Sequence, residues 1–136
     1  MGDSRQSEGA RVDARGIRPP DAYAVVERPA PAGAVVLALT GEIDVAAAAV
    51  VRERFAAALA RRPLAVVVDM AEVTFVDSSA LRELLRADAA MRAAGTRFVP
   101  AALPPVVARL LDLTRARELL DVAPSVDAAL RQLAPS

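Results

Sequence analysis

The sequence predicts an α/β fold with a small mixed sheet, and three observations carry that reading. Apolar runs without polar alternation occupy Ala34 to Leu39 and Leu64 to Val68, as in strands covered on both faces. Each run leads through a polar connection into apolar residues spaced three and four apart, the signature of a helix packed on one side. The alternation continues to the end of the chain, while two strands close together near its start supply an antiparallel edge. The expected architecture has four to five strands, with about four helices packed mainly on one face.

Residues 1–20 mix charge, Gly and Ser and end in Pro19 and Pro20, so they read as a disordered N-terminal tail, with one domain over residues 21–136. Between Ala22 and Arg28 the alternation of Tyr23, Val25 and Glu27 with Ala24 and Val26 predicts the first strand. Pro29, Pro31 and Gly33 break it before the run Ala34 to Leu39. Thr40 to Asp44 then reads as a turn, and Asp44 caps a helix from about Ala46 to Arg62 with Val51, Phe55, Ala58 and Leu59 on its buried stripe.

The strand at Leu64 to Val68 is placed at the sheet centre by a right-handed crossover from its neighbour. Beyond Asp69 and Met70 the apolar segment Val73 to Val76 reaches Asp77, Ser78 and Ser79, three successive helix-capping residues of which Ser79 is the expected cap. Leu81, Leu84, Leu85 and Ala89 line one face of the helix that follows, which Gly95 closes. Thr96 to Pro100 is a short strand. Pro104 and Pro105 open a helix with Val106, Val107, Leu110 and Leu111 buried. A brief strand is expected at Leu120 to Val122, and Ser125 caps a last helix carrying Val126, Ala129, Leu130 and Leu133.

Composition restricts the chemistry. At 136 residues and 54% hydrophobic the chain can fill one core, and with only 3% aromatics that core must be packed from Ala, Val and Leu. Seventeen basic residues balance seventeen acidic ones, so no net field favours direct binding of nucleic acid or an anionic membrane. There is no cysteine and no histidine, which excludes disulfides, thiolate or imidazole catalysis and the usual zinc ligand sets. No phosphate-binding G-x-x-x-x-G-K-[ST] loop is present, and Ser78 has no histidine to activate it, so no enzyme activity and no cofactor are expected. The apolar runs are far shorter than the roughly 20 residues that span a bilayer, and no signal-like segment opens the chain, so a cytoplasmic protein without membrane insertion is expected.

Two motifs stand in order: Leu39-Thr40-Gly41-Glu42-Ile43-Asp44 before the first helix, and Val73-Thr74-Phe75-Val76-Asp77-Ser78-Ser79-Ala80-Leu81 before the second. Together with Leu110-Leu111-Asp112-Leu113-Thr114, they resemble the STAS domain, specifically the bacterial anti-anti-sigma factors, over about Ala22 to Leu133. The resemblance implies that Ser78, directly after Asp77, accepts a phosphate. It also implies a partner, an anti-sigma factor serine kinase, held by the unphosphorylated protein so that a sigma factor is freed. The resemblance further implies that phosphorylation ends the hold and that a serine phosphatase resets it. Ala80 departs from the family, in which many members carry Gly.

The candidate partner surface comprises Glu42, Asp44, Asp77, Ser78, Ser79, Ala80, Arg82 and Arg86. For Asp44, Asp77 and the serines the competing reading is helix capping alone; for Glu42, Arg82 and Arg86 it is a solvated surface. The arginines lie four apart on one helix face, suited to an acidic partner or a phosphate. Two alternatives stay open: a STAS subunit of a stress-sensing or lipid-transport complex in which the serine is structural, and a small-ligand binding module.

Overall fold

The branched run Ala65 to Val68 lies within a twelve-residue strand, β3 (Ala65–Val76), in a computed structural model that describes residues 23–31 and 33–133. The expected tail, residues 1–20, lies outside the described residues. The other strands are β1 (Ala24–Arg28), β2 (Ala34–Ile43) and β4 (Arg97–Ala101). They form one four-stranded sheet in the order β1-β2-β3-β4. β1 runs antiparallel to β2, while β2, β3 and β4 are parallel. The parallel connections are made by α1 (Val45–Ala60) and α2 (Ser78–Ala93), and α3 (Pro105–Leu113) and α4 (Val126–Leu133) complete the fold.

Both faces of the central strands are buried, for which period-two alternation of polar residues would be fatal. Val66, Val68 and Met70 point to the face covered by α1, α2 and α3, where they meet Phe55, Leu84, Met91, Val107 and Leu111. Phe55 and Phe98 pack edge to face there, with ring centroids 5.3 Å apart. Val36, Val67, Val99 and Ala101 point the other way and are covered by Ala129, with Val126, Leu130 and Leu133 of α4. Three helices thus share one face.

The edge strand β1 is tied down by polar contacts that span long stretches of sequence. Arg28 donates to the largely buried Asp69 carboxylate at 2.7 Å, and Asp69 Oδ1 also accepts from the Ala71 N–H. Arg54 donates to the Val25 carbonyl at 2.9 Å. Arg61 grips Glu27 with two bonds of 2.8 and 2.7 Å, and this hydrogen bond holds the Glu27 carboxyl below its ordinary value.

The structure departs from the sequence expectation in four places. Thr40 to Ile43 belongs to β2, because shifts in register at Ala38/Thr40 and Gly41/Glu42 let the strand continue through polar residues. β3 likewise continues through Asp69 and Glu72. Ala89 and Val106 are exposed: the buried face of α2 is rotated towards Ala80, Ala87, Asp88 and Met91, and α3 buries only Val107 and Leu111 fully. No strand forms at Leu120 to Val122. The pairing there is one bridge from Ala101 to Ala123, preceded by a single 3-10 turn at Ala116–Glu118. Gly95 does close α2, at φ +81.

Candidate functional site

The two motifs meet because β2 and β3 are parallel and end together. Ile43 and Val76 are register partners, so the next residues, Asp44 and Asp77, emerge side by side at the same edge of the sheet. Each adopts extended backbone geometry and caps the helix that follows. Asp44 Oδ1 accepts from the Ala47 N–H at 3.1 Å. Asp77 Oδ1 accepts from the N–H groups of Ser79 at 2.9 Å and Ala80 at 3.2 Å. An aspartate suits both places, since a short carboxylate satisfies free N–H groups and its charge opposes the positive helix end.

Asp77 therefore does the capping that was expected of Ser79. Ser78 is the first residue of α2 and is exposed, Ser79 follows half-buried, and neither hydroxyl makes a hydrogen bond to a described residue. The physical reason is position: only the residue before the first helical turn, in extended geometry, can fold its side chain back onto the N–H groups. Ala80 turns inward and is 5% exposed, packed in the core among the α2 residues Leu81 and Leu84. Its methyl group faces the interior and leaves the outer surface unchanged.

Glu42 lies in β2 opposite Phe75 of β3, one step inside the edge. Phe75 and Val45 are exposed at this edge, the latter as the first residue of α1. Neither apolar residue was singled out in the sequence, where Phe75 belongs to the largely apolar segment Val73 to Val76 and only the end of the sheet reveals that it emerges from cover. Arg82 and Arg86 are exposed on α2 and enter no ion pair among the described residues. The sheet edge thus assembles Glu42, Asp44, Asp77, Ser78, Ser79 and Ala80, with Arg82 one helical turn along.

Arg86 stands two turns from Ser78 and lines a groove between α1 and α2. The groove has an apolar floor of Phe55, Leu59 and Met91, and at its rim Arg52 reaches Glu83 at 3.5 Å. Glu83 is a buried carboxylate that the sequence reading missed, because its partner sits on another helix 31 residues away. Among the described residues no group of acidic side chains is arranged to hold a metal ion. No described helix is long and apolar enough to cross a membrane. What the edge offers is a free hydroxyl on a helix N-terminus, framed by three carboxylates and two exposed apolar side chains.

The same fold recurs in known proteins. An anti-sigma factor antagonist from Mycobacterium paratuberculosis superposes with a TM-score of 0.76 at 26% identity, covering 85% of this chain and 97% of that one. The anti-sigma factor antagonist SpoIIAA in its unphosphorylated form gives 0.68 at 19% identity over 82% of this chain and 100% of its own. The phosphorylated form of SpoIIAA, a Bacillus cell fate determinant, gives 0.65 at 17% over 82% and 100%. A sulfate transporter family protein from Wolinella succinogenes gives 0.65 at 18% over 77% and 88%, so the fold serves more than one setting. No curated protein matches the chain. The family model described as STAS domain matches residues 24–129, nearly the whole of the folded region, and the chain belongs to the STAS domain family.

Proposed function

We propose that this protein is an anti-sigma factor antagonist of a bacterial partner-switching system, acting in the cytoplasm on transcription. Unphosphorylated, it binds an anti-sigma factor serine kinase and so releases a sigma factor. The kinase then inactivates it by phosphorylating Ser78, and a serine phosphatase restores it. The observation that carries this reading is the exposed Ser78 hydroxyl, which is spare because Asp77 already satisfies the helix N-terminus. The likeness to an antagonist from Mycobacterium paratuberculosis supports it.

The chemistry asks little of the antagonist itself. Ser78 Oγ forms a bond to the γ-phosphorus of a nucleotide held by the kinase, the bond to the diphosphate breaks, and the hydroxyl proton leaves to a base on the kinase. The product carries about −1.5 to −2 charge at a helix N-terminus, whose dipole tolerates it, so the fold survives. The complex does not, because the dianion must be desolvated beside Glu42, Asp44 and Asp77. A penalty of about 3 kcal/mol weakens binding on the order of 100-fold, enough for a switch. In this reading Glu42, Asp44, Ser79, Arg82 and Arg86 contact the partner, while Ala80 holds the backbone of the docking helix from beneath.

Phosphopeptide mapping after incubation with the cognate kinase, and kinase binding by Ser78→Ala and Ser78→Asp, test the proposal. The expected result is label on Ser78, tight binding by Ser78→Ala and weak binding by Ser78→Asp. Label elsewhere with Ser78 unmodified, or equal binding by both variants, would overturn it.

A further inference from the structure

Two facts about the switch edge stand in tension. It is acidic, with Glu42, Asp44 and Asp77 at the ends of β2 and β3, yet it is the place where a phosphoryl group would add further negative charge. The helix dipole offsets part of that charge, but Asp77 already occupies the N–H groups of Ser79 and Ala80. A cation close by would offset the remainder.

Resting on the reading of Ser78 as the phosphoacceptor, we infer that Arg82 is the internal counter-ion of phosphorylated Ser78. The two residues are four apart in α2, both are exposed, and Arg82 has no ion pair among the described residues to give up. An acid four positions N-terminal to a base is the favoured order of a helical pair. The guanidinium fork also matches phosphate oxygens with two parallel hydrogen bonds. Arg86 does not compete: eight residues of helix put it about 12 Å further along the axis, where it lines the groove against α1.

This pairing gives phosphorylation a second effect on partner binding. Arg82 is free for an acidic group on the partner while Ser78 carries a hydroxyl, and turns back onto its own helix once the phosphoryl group arrives. One modification then removes both a hydroxyl and a cation from the docking surface, and it strengthens the first turns of α2.

The test uses the full chain with phosphoserine installed genetically at position 78, so that it needs no kinase, and follows the phosphorus NMR titration. Glu42, Asp44 and Asp77 raise the phosphate midpoint in every variant, and the pairing residue lowers it. Arg82→Gln is expected to move the midpoint up by about 0.4 pH units, the equivalent of one helical ion pair, while Arg82→Lys keeps most of the wild-type value. Arg86→Gln is expected to move it by a small fraction of that. Phosphorylation is also expected to raise Tm more in the wild type than in Arg82→Gln. An unmoved midpoint in Arg82→Gln, or equal movement in Arg82→Gln and Arg86→Gln, would overturn the inference. Neither result bears on which serine the kinase labels, which the mapping experiment decides separately.

Discussion

Asp44 and Asp77 each directly follow one member of the register pair Ile43 and Val76, so one pairing in the sheet sets two helix caps next to each other. Parallel strands make this possible, since both chains leave the sheet at the same end and both enter helices there. The candidate site is therefore a product of strand register.

Loss of the second cap should be the more costly. Asp77→Ala frees two N–H groups and is expected to destabilise the domain by about 1 kcal/mol, a fall of about 4 °C in Tm. Asp77→Asn should retain most of the stability. Asp44→Ala, which frees one N–H, is expected to cost about 0.5 to 1 kcal/mol. Thermal unfolding of the three variants checks the order.

Ala80 should matter to stability and not to docking. Because its methyl group is buried, Ala80→Gly is expected to cost about 1 kcal/mol through helix propensity while leaving kinase affinity within about twofold of wild type. Urea unfolding and a binding titration on one preparation separate the two effects.

Arg28→Ala would leave the Asp69 carboxylate, 11% exposed, with only the Ala71 N–H, at an expected cost of about 1–3 kcal/mol. Adding Asp69→Ala should recover part of this, because the stranded charge is then gone as well. A double-mutant cycle by chemical denaturation gives the coupling.

The Glu27–Arg61 pair predicts a pH dependence. The Arg61 hydrogen bond lowers the folded pKa of Glu27 below its unfolded value, so the pair's contribution is complete above the unfolded value and is lost as pH falls through the folded one. The stability difference between wild type and Arg61→Ala should accordingly be small but measurable at neutral pH and vanish in strong acid. Both side chains are substantially exposed, which keeps the effect modest.

Most of the fold was legible because the apolar runs and helical spacings are local. Pro and Gly at Pro29, Pro31, Gly33 and Gly95 punctuate them clearly. The ends of β2 and β3 were not legible, since Thr40 to Glu42 and Asp69 to Glu72 carry turn-forming residues and stay in the sheet only through bulges and through the partner strand. The Arg52–Glu83 and Arg28–Asp69 pairs were invisible for a related reason: they join residues 31 and 41 apart, and no spacing rule reaches that far. At the site, the types of residue were readable, but the division of labour was not. Which of three consecutive capping residues does the capping depends on where the strand ends, and that is decided by Val76 pairing with Ile43.

The antiparallel register of β1 has a practical consequence at the bench. Ala24 pairs with Thr40, so β1 begins at the end of the sheet where β2 runs out towards Asp44. Residue 23 therefore lies towards the same end of the sheet as Asp44 and Asp77, two strands from β3. A label or linker attached directly ahead of β1 is expected to crowd that rim, so partner-binding measurements are better anchored at the opposite end of the sheet.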